Sequence, residues 1–243
     1  MAERAMIDLS PFRDRPCSVL VVKLSSLGDV IHSTGVLRAI RRALPSARIA
    51  FAVEERWRDV VRCNPNVDLV IESSARDRLS IPYIVEIHRR LSTHGPYDIA
   101  IDLQGNRRSA AWVYLSGARI KAGRGRFRPG WCRAIEPDLA RHAVTVCADI
   151  CRGLGIAVDA PAPEIHADAG DEARVHAMLA AEGLPSHGFI VLNPFSRWRS
   201  KSCPLDTAAE VIRRLQATIR HRVVLTGGPE DRDQAAALQS RLH

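Results

Sequence analysis

The sequence predicts an α/β protein with parallel sheets, organised as two domains of which the second is incomplete. Three observations predict it. Apolar runs of strand length alternate with segments of helical period, which calls for strands joined by crossover helices. The strand runs are apolar on successive residues, as in SVLVVKL (18–24), the mark of a strand covered on both faces. A stretch rich in Pro, Ala and Gly, GIAVDAPAPEIHADAG (155–170), separates four or five such strands from two later ones. With 243 residues the chain has room for one large domain or two small ones. The domains are expected over 17–165 and 186–243.

The elements follow in order. Strand 18–24 leads to a helix over 33–44, where Val36, Leu37, Ile40 and Leu44 share one face and Arg38, Arg41 and Arg42 the other. Pro45 marks its stop. RIAFAV (48–53) is a second strand, followed by a short helix over 56–63. A turn at NPN precedes a third strand over 67–72, and a helix covers 80–93. DIAIDL (98–103) is a fourth strand, 107–116 a helix and 119–123 a short fifth strand. The segment 123–138, GRGRFRPGWCRAIEPD, breaks the rhythm and reads as a long functional loop. A helix over 140–154, an extended piece over 163–167 and a helix over 171–182 come next. The second series is strand 189–193, loop 194–203, helix 205–219, strand 222–226, a Gly-Gly-Pro turn at 227–229 and helix 230–242. Two strands fall short of the five or six that a doubly wound domain normally uses. The second domain therefore reads as truncated.

Composition narrows the function. Apolar residues make up 46% and charged residues 26%, which excludes collagen-like and wholly disordered chains. No apolar stretch approaches the ~20 residues of a bilayer span, and the N-terminus has no signal-peptide core, so the cytoplasm is the expected compartment. The net charge of +8 favours an anionic partner. All but three of the basic residues, Lys23, Lys121 and Lys201, are arginine. Few aromatics and no aromatic-basic interleaving argue against nucleic acid. Cysteines stand at 17, 63, 132, 147, 151 and 203 with no C-x-x-C, so no metal site is expected, although His142, Cys147 and Cys151 share one helix.

In open parallel sheets ligands bind beyond the carboxyl ends of strands. Four loops occupy such places. Ser25-Ser26-Leu27-Gly28-Asp29 follows the first strand, Gly28 allowing a sharp turn; Asp29 suits a general base toward a sugar hydroxyl, or an N-cap for the next helix. The run from Asp102 to Arg108 offers Asp102, Gln104 and Asn106 to hydroxyls and Arg107 and Arg108 to anions, or is a capped helix start with solvated arginines. Asn193 to Lys201 offers Ser196, Ser200, Arg197, Arg199 and Lys201 to a diphosphate, or is a basic surface loop. Beyond Thr226-Gly227-Gly228-Pro229, Glu230 or Asp231 can hold ribose hydroxyls or simply favour a helix dipole. His32 reads as structural or acceptor-lining. The G-x-G-x-x-G and G-x-x-x-x-G-K-[ST] fingerprints are both missing, which argues against a dehydrogenase or other nucleotide enzyme of those classes.

Taken in this order the four loops resemble those of glycosyltransferase family nine, the ADP-heptose:lipopolysaccharide heptosyltransferases. The resemblance rests on VLVVKLSSLGDVIHSTGVLRAIRRALP (19–45), YDIAIDLQGNRRSA (97–110), FIVLNPFSRWRSKSCP (189–204) and VVLTGGPEDRD (223–233). It implies a GT-B architecture of two Rossmann-like domains, acceptor on the first and nucleotide sugar on the second. It implies inverting transfer of heptose from ADP-heptose to the lipopolysaccharide inner core (Kdo-lipid A or a heptosyl acceptor), with no cofactor and no metal. Asp29 matches the proposed base. Lys201, Ser196 and Asp231 match donor-binding positions. Ser25, Ser26, Gly28, Asp102, Gln104, Arg107 and Arg108 are expected around the acceptor, with Arg124 and Arg126 available to its anions. Peripheral contact with the cytoplasmic face of the inner membrane follows from a lipid-anchored acceptor. The family's D-[ST]-G-x-x-H motif beyond the G-G-P turn is missing from this sequence, which leaves transfer by these residues alone in question. The alternative from another class is a non-catalytic anionic-glycan- or lipid-binding module.

Overall fold

The computed structural model describes residues 7–74, 79–124, 133–135, 137–185, 187–196, 199–219 and 221–242. The chain divides into two compact units, Met1–Ala167 and Asp168–His243.

In the first unit a short helix α1 (Ser10–Arg13) precedes β1 (Cys17–Val22), α2 (Leu27–Thr34), α3 (Leu37–Ala43) and β2 (Ala47–Glu54). A 3₁₀ turn at Glu55–Val60 leads to β3 (Leu69–Ser73), α4 (Ile81–His94), β4 (Ile99–Asp102) and α5 (Arg107–Leu115). Then come β5 (Ile120–Arg124), β6 (Arg133–Ile135) and α6 (Ala143–Gly153). Among the described residues these six strands form one parallel sheet, in the order β3-β2-β1-β4-β5-β6. This is the doubly wound arrangement in which the strand order reverses between β1 and β4.

The continuous apolar character of β1 has a direct cause. Val19 and Val21 point to one layer, with Leu37 and Ile40 of α3 and Cys147 and Ile150 of α6. Leu20 and Val22 point to the other, with Tyr83 and Ile87 of α4 and Trp112 and Val113 of α5. Both faces of the strand are therefore dry. Each such side chain contributes about 1.5–3 kcal/mol by leaving water.

The helix expected over 33–44 is two helices, and the first begins at Leu27. Its end has a local cause. The hydroxyls of Ser33 and Thr34 donate to the carbonyls of Val30 and Ile31, competing with the helical ladder. Gly35 then allows a close approach: a Cβ there would lie 3.0 Å from the backbone of Pro161 and Ala162. The segment after α6 crosses at this point. Glu164 N donates to Thr34 Oγ1 at 2.8 Å, and the Glu164 carboxylate pairs with Arg38 at 2.8 Å. Residues 163–167, expected to be extended, form no strand.

The long loop expected over 123–138 contains β6, which pairs with β5. Most of that loop, Arg126 included, lies outside the described residues. Cys17, Cys147 and Cys151 are buried and Cys63 and Cys203 partly so, as small packing groups would be. Cys132 lies outside the described residues.

The second unit holds α7 (Ala169–Ala181), β7 (Phe189–Leu192), α8 (Leu205–Ile219), β8 (Arg222–Leu225) and α9 (Arg232–Ser240). β7 and β8 pair in parallel, Phe189 opposite Arg222. The core beneath them is small: Ala208, Ala209 and Ile212 of α8 with Leu238 of α9. The last expected helix, 230–242, opens instead as a 3₁₀ turn at Pro229–Asp231. Among the described residues of the chain no helix is long and apolar enough to cross a membrane.

Candidate active site

The reversal of strand order leaves a crevice beyond the carboxyl ends of β1 and β4, where the crossover helices diverge to opposite faces. Two of the four sequence-predicted loops meet there. Ser25 N donates to Gln104 Oε1 at 3.1 Å, tying the loop after β1 to the loop after β4. Ser25 and Ser26 are joined by a cis peptide.

Asp29 sits at the third position of α2, not at its N-cap. Ser26 is the N-cap, and both its N–H (3.3 Å) and its hydroxyl (2.9 Å) donate to Asp29 Oδ2. The other oxygen, Oδ1, lies 3.8 Å from Lys23 Nζ. The Asp29 side chain is 46% exposed and Lys23 only 7%. Burial works to raise the Asp29 pKa. The Lys23 ammonium, the two Ser26 donors and His32 outweigh it and hold the carboxyl below its ordinary value. The group is therefore an ionised carboxylate at neutral pH, open to solvent on one side. Gly28 was expected to make a sharp turn; it is the second residue of α2 with open space where a Cβ would stand, so the backbone does not require glycine there. The partly buried His32 ring packs edge-on against His142, centroids 5.0 Å apart, and its Nδ1 has no hydrogen-bond partner among the described residues.

The loop after β4 corrects two expectations. Asp102 is fully buried, and its carboxylate is turned inward. Oδ1 accepts from the backbone N–H groups of Gln104 (2.8 Å) and Gly105 (2.9 Å), and Oδ2 from Ser109 Oγ (3.0 Å). Burial pushes its pKa up to about 6 against those hydrogen bonds and Lys23. It shapes the loop and offers no free oxygen to an acceptor. Gly105 completes the turn at φ +79°, and the Arg124 side chain lies where its Cβ would be. Asn106 caps α5 by accepting from Ser109 N at 3.0 Å.

Arg108 is the second correction. Its guanidinium turns toward β2, where Nη1 meets Glu54 Oε1 at 2.8 Å. Glu54 is 1% exposed and also accepts from Arg56 Nε (2.9 Å) and Nη2 (2.7 Å). The Tyr83 hydroxyl joins this network through Ser73, Trp112 and Arg108. Arg108 is thus committed to a buried carboxylate, while Arg107, at the first turn of α5, is exposed.

Two residues of this rim escaped the sequence reading. Lys23 was read as a strand residue, although a lone cation at the end of an apolar run signals a buried partner. Glu54 carried the same kind of signal at the end of RIAFAVE.

In the second unit, Asp231 closes the turn after β8. Its Oδ2 accepts from Gly228 N at 2.8 Å, and its own N–H donates to Gly228 O at 3.0 Å. It lines a cleft of ≈ 310 Å³ with Phe195, Thr226, Gly227, Gly228 and Arg232. The loop after β7 is folded on itself: Ser202 Oγ donates to Ser196 O (2.9 Å) and Cys203 N to Pro194 O (2.9 Å). Of the two residues expected at the donor diphosphate, neither lines the cleft: Ser196 is the next residue after the lining Phe195, and Lys201 is exposed on a 3₁₀ turn. Arg197 and Trp198 lie outside the described residues.

The chain as a whole is similar to known proteins. A lipopolysaccharide heptosyltransferase 1 from Salmonella typhimurium is 35% identical over 125 residues, 49% of this chain and 38% of the relative. The chain spans well under two thirds of the length of that protein. Among solved structures, the glycosyl transferase family 9 protein of Veillonella parvula superimposes with a TM-score of 0.86 at 24% identity, over 96% of this chain and 68% of that one. An Escherichia coli heptosyltransferase, WaaC, solved with ADP-2-deoxy-2-fluoro heptose, gives a TM-score of 0.65 at 25% identity over 91% and 72%. These relatives share the GT-B-like α/β fold. The sequence model of glycosyltransferase family 9 (heptosyltransferase) matches residues 84–242, well over half of the chain, and the chain belongs to that family.

Proposed function

We propose that the chain takes part in inverting, metal-independent transfer of heptose from ADP-heptose to the lipopolysaccharide inner core, with Kdo-lipid A or a heptosylated form of it as acceptor. The observation that carries the reading is the ionised, half-exposed Asp29 carboxylate in the crevice between β1 and β4. In this reading the acceptor hydroxyl gives its proton to Asp29 as its oxygen attacks the anomeric carbon. The carbon–diphosphate bond breaks on the opposite face, and a single displacement inverts the centre. Ser25, Ser26, Gln104 and Arg107 line the acceptor side. Asp102 and Arg108 act on it indirectly, by holding the loop after β4 in shape. The second unit binds the donor: Asp231 and the glycine turn meet the nucleoside, and Ser196 and Lys201 meet the departing diphosphate, whose charge Lys201 offsets in place of a metal ion.

The net charge of +8 supports peripheral attraction to the anionic cytoplasmic face of the inner membrane, where a lipid-anchored acceptor is held. One observation favours a second reading, a non-catalytic anionic-glycan- or lipid-binding module: the Asp29 carboxylate already has a structural task in receiving the N-cap N–H of α2. Incubation with ADP-heptose and Kdo-lipid A, with and without EDTA, separates the two. The transfer reading expects ADP release and a heptosylated lipid of inverted anomeric configuration in both samples. Saturable binding of the lipid with no ADP released would favour the second reading.

A further inference from the structure

We propose that Lys23 is the positioning residue of this site: its buried ammonium, set at the foot of the crevice, holds the Asp29 carboxylate in one orientation and in its ionised form. The proposal rests on the reading of Asp29 as the base.

Lys23 continues β1 by one residue, its N–H donating to Ala52 O at 3.1 Å. Its side chain runs to the crevice floor, where Nζ meets two oxygens of the described residues. Leu103 O accepts from it at 3.4 Å, and Asp29 Oδ1 lies at 3.8 Å. The ammonium therefore bridges the loop after β4 and the first turn of α2, the two segments that form the crevice. Lysine is almost never this buried without a partner. The half-exposed Asp29 carboxylate is the one paired with it.

The two Asp29 oxygens are divided between different neighbours. Oδ2 takes both Ser26 donors and Oδ1 faces Lys23. Rotating the carboxylate would disturb both sets at once. The other ionisable groups around Lys23 are Cys147 of α6, Arg124 of β5 and Asp102 of β4, and His32 faces Asp29 from α2. Burial draws the Lys23 pKa down, and Asp29 leads the groups that oppose it. Burial also raises the pKa of the Cys147 thiol, so it stays neutral at working pH. Of these neighbours, Lys23 is the largest influence that keeps Asp29 ionised against its own burial. A purely structural Lys23 would tie Leu103 to β1 and leave the titration of Asp29 unchanged.

The test reads the Asp29 carboxyl directly. Aspartate-labelled wild type, Lys23→Met and Lys23→Arg are titrated by ¹³C NMR, with the Asp29 signal assigned by its loss in Asp29→Asn. The expected result is that Asp29 titrates at higher pH in Lys23→Met than in wild type, and that Lys23→Arg restores most of the difference. The melting temperature of Lys23→Met should not fall, because a costly buried charge is removed while Asp29 keeps its access to water. Should Lys23→Met fail to fold, Lys23→Gln is read in the same way. In the transfer assay kcat of Lys23→Met is expected to fall about tenfold with acceptor KM little changed, and the acid limb of the pH profile to move up. Identical Asp29 titrations in wild type and the neutral variant would overturn the proposal. An Asp29→Asn enzyme with full activity would instead remove the base reading, and the NMR comparison would still stand on its own.

Discussion

Asp102 gives the first unit an unusual pH dependence of stability. Its carboxyl is fully buried and pushed up to about 6, from 3.8 in a solvated chain. The sign follows from linkage. The folded state holds this proton more tightly than the unfolded state. Asp102 therefore contributes stability at pH below 3.8, and that contribution is lost as pH rises through 6. A shift of about 2 units corresponds to about 3 kcal/mol, of which about 2 kcal/mol falls between about pH 4.5 and pH 7.5. Asp102→Asn removes the charge and nearly keeps the shape. Its oxygen can still accept from Gln104 N and Gly105 N, and its amide can donate to Ser109 Oγ, which turns to accept. Urea unfolding of the first unit is followed for wild type and variant at several pH values. The difference between the two cancels every other titration in the chain. Wild type should gain about 2 kcal/mol over the variant on going from about pH 7.5 to pH 4.5. A difference that is flat with pH would refute the reasoning, because it would mean that burial does not set the charge state of Asp102.

Glu54→Gln should destabilise the first unit by about 2–3 kcal/mol in urea, because it leaves the half-buried Arg108 without its counter-charge; Arg56→Gln, half in water, should cost less than about 1 kcal/mol in the same assay. Gly35→Ala places a methyl group 3.0 Å from the Pro161–Ala162 backbone and should lower stability by about 1–3 kcal/mol, with the loss read in the same unfolding transition.

Much of the first unit was legible because the physics acted locally. The runs around Val19–Val22 and Ile99–Ile101 are apolar on consecutive residues only because helices cover both sheet faces, and the sequence pattern carries that information. The start of α2 was missed because an N-cap Ser26 receiving help from Asp29 three residues on looks, as a string, like a polar loop. The same ambiguity hid the orientation of Asp102. An aspartate at a strand end reads alike whether it faces a ligand or folds back on its own loop, and only Ser109 in the first turn of α5 hinted at the second. Arg108 was assigned to an anion in the crevice because its partner, Glu54, is 54 residues away in sequence, and no local pattern joins them. In the second unit the turn at Gly227–Pro229 was legible, since glycine and proline fix it locally, but the helix expected from 230 begins only at Arg232, after a 3₁₀ turn at Pro229–Asp231.

The central claim is that the carboxylate at the third position of α2 accepts the proton of the incoming sugar alcohol. The most direct measurement is the single-turnover rate of wild type and Asp29→Asn with both substrates saturating. The account predicts a fall of about 10²–10⁴ with folding unchanged. A variant that transfers heptose within about tenfold of the wild-type rate would contradict it, since the amide cannot take the proton.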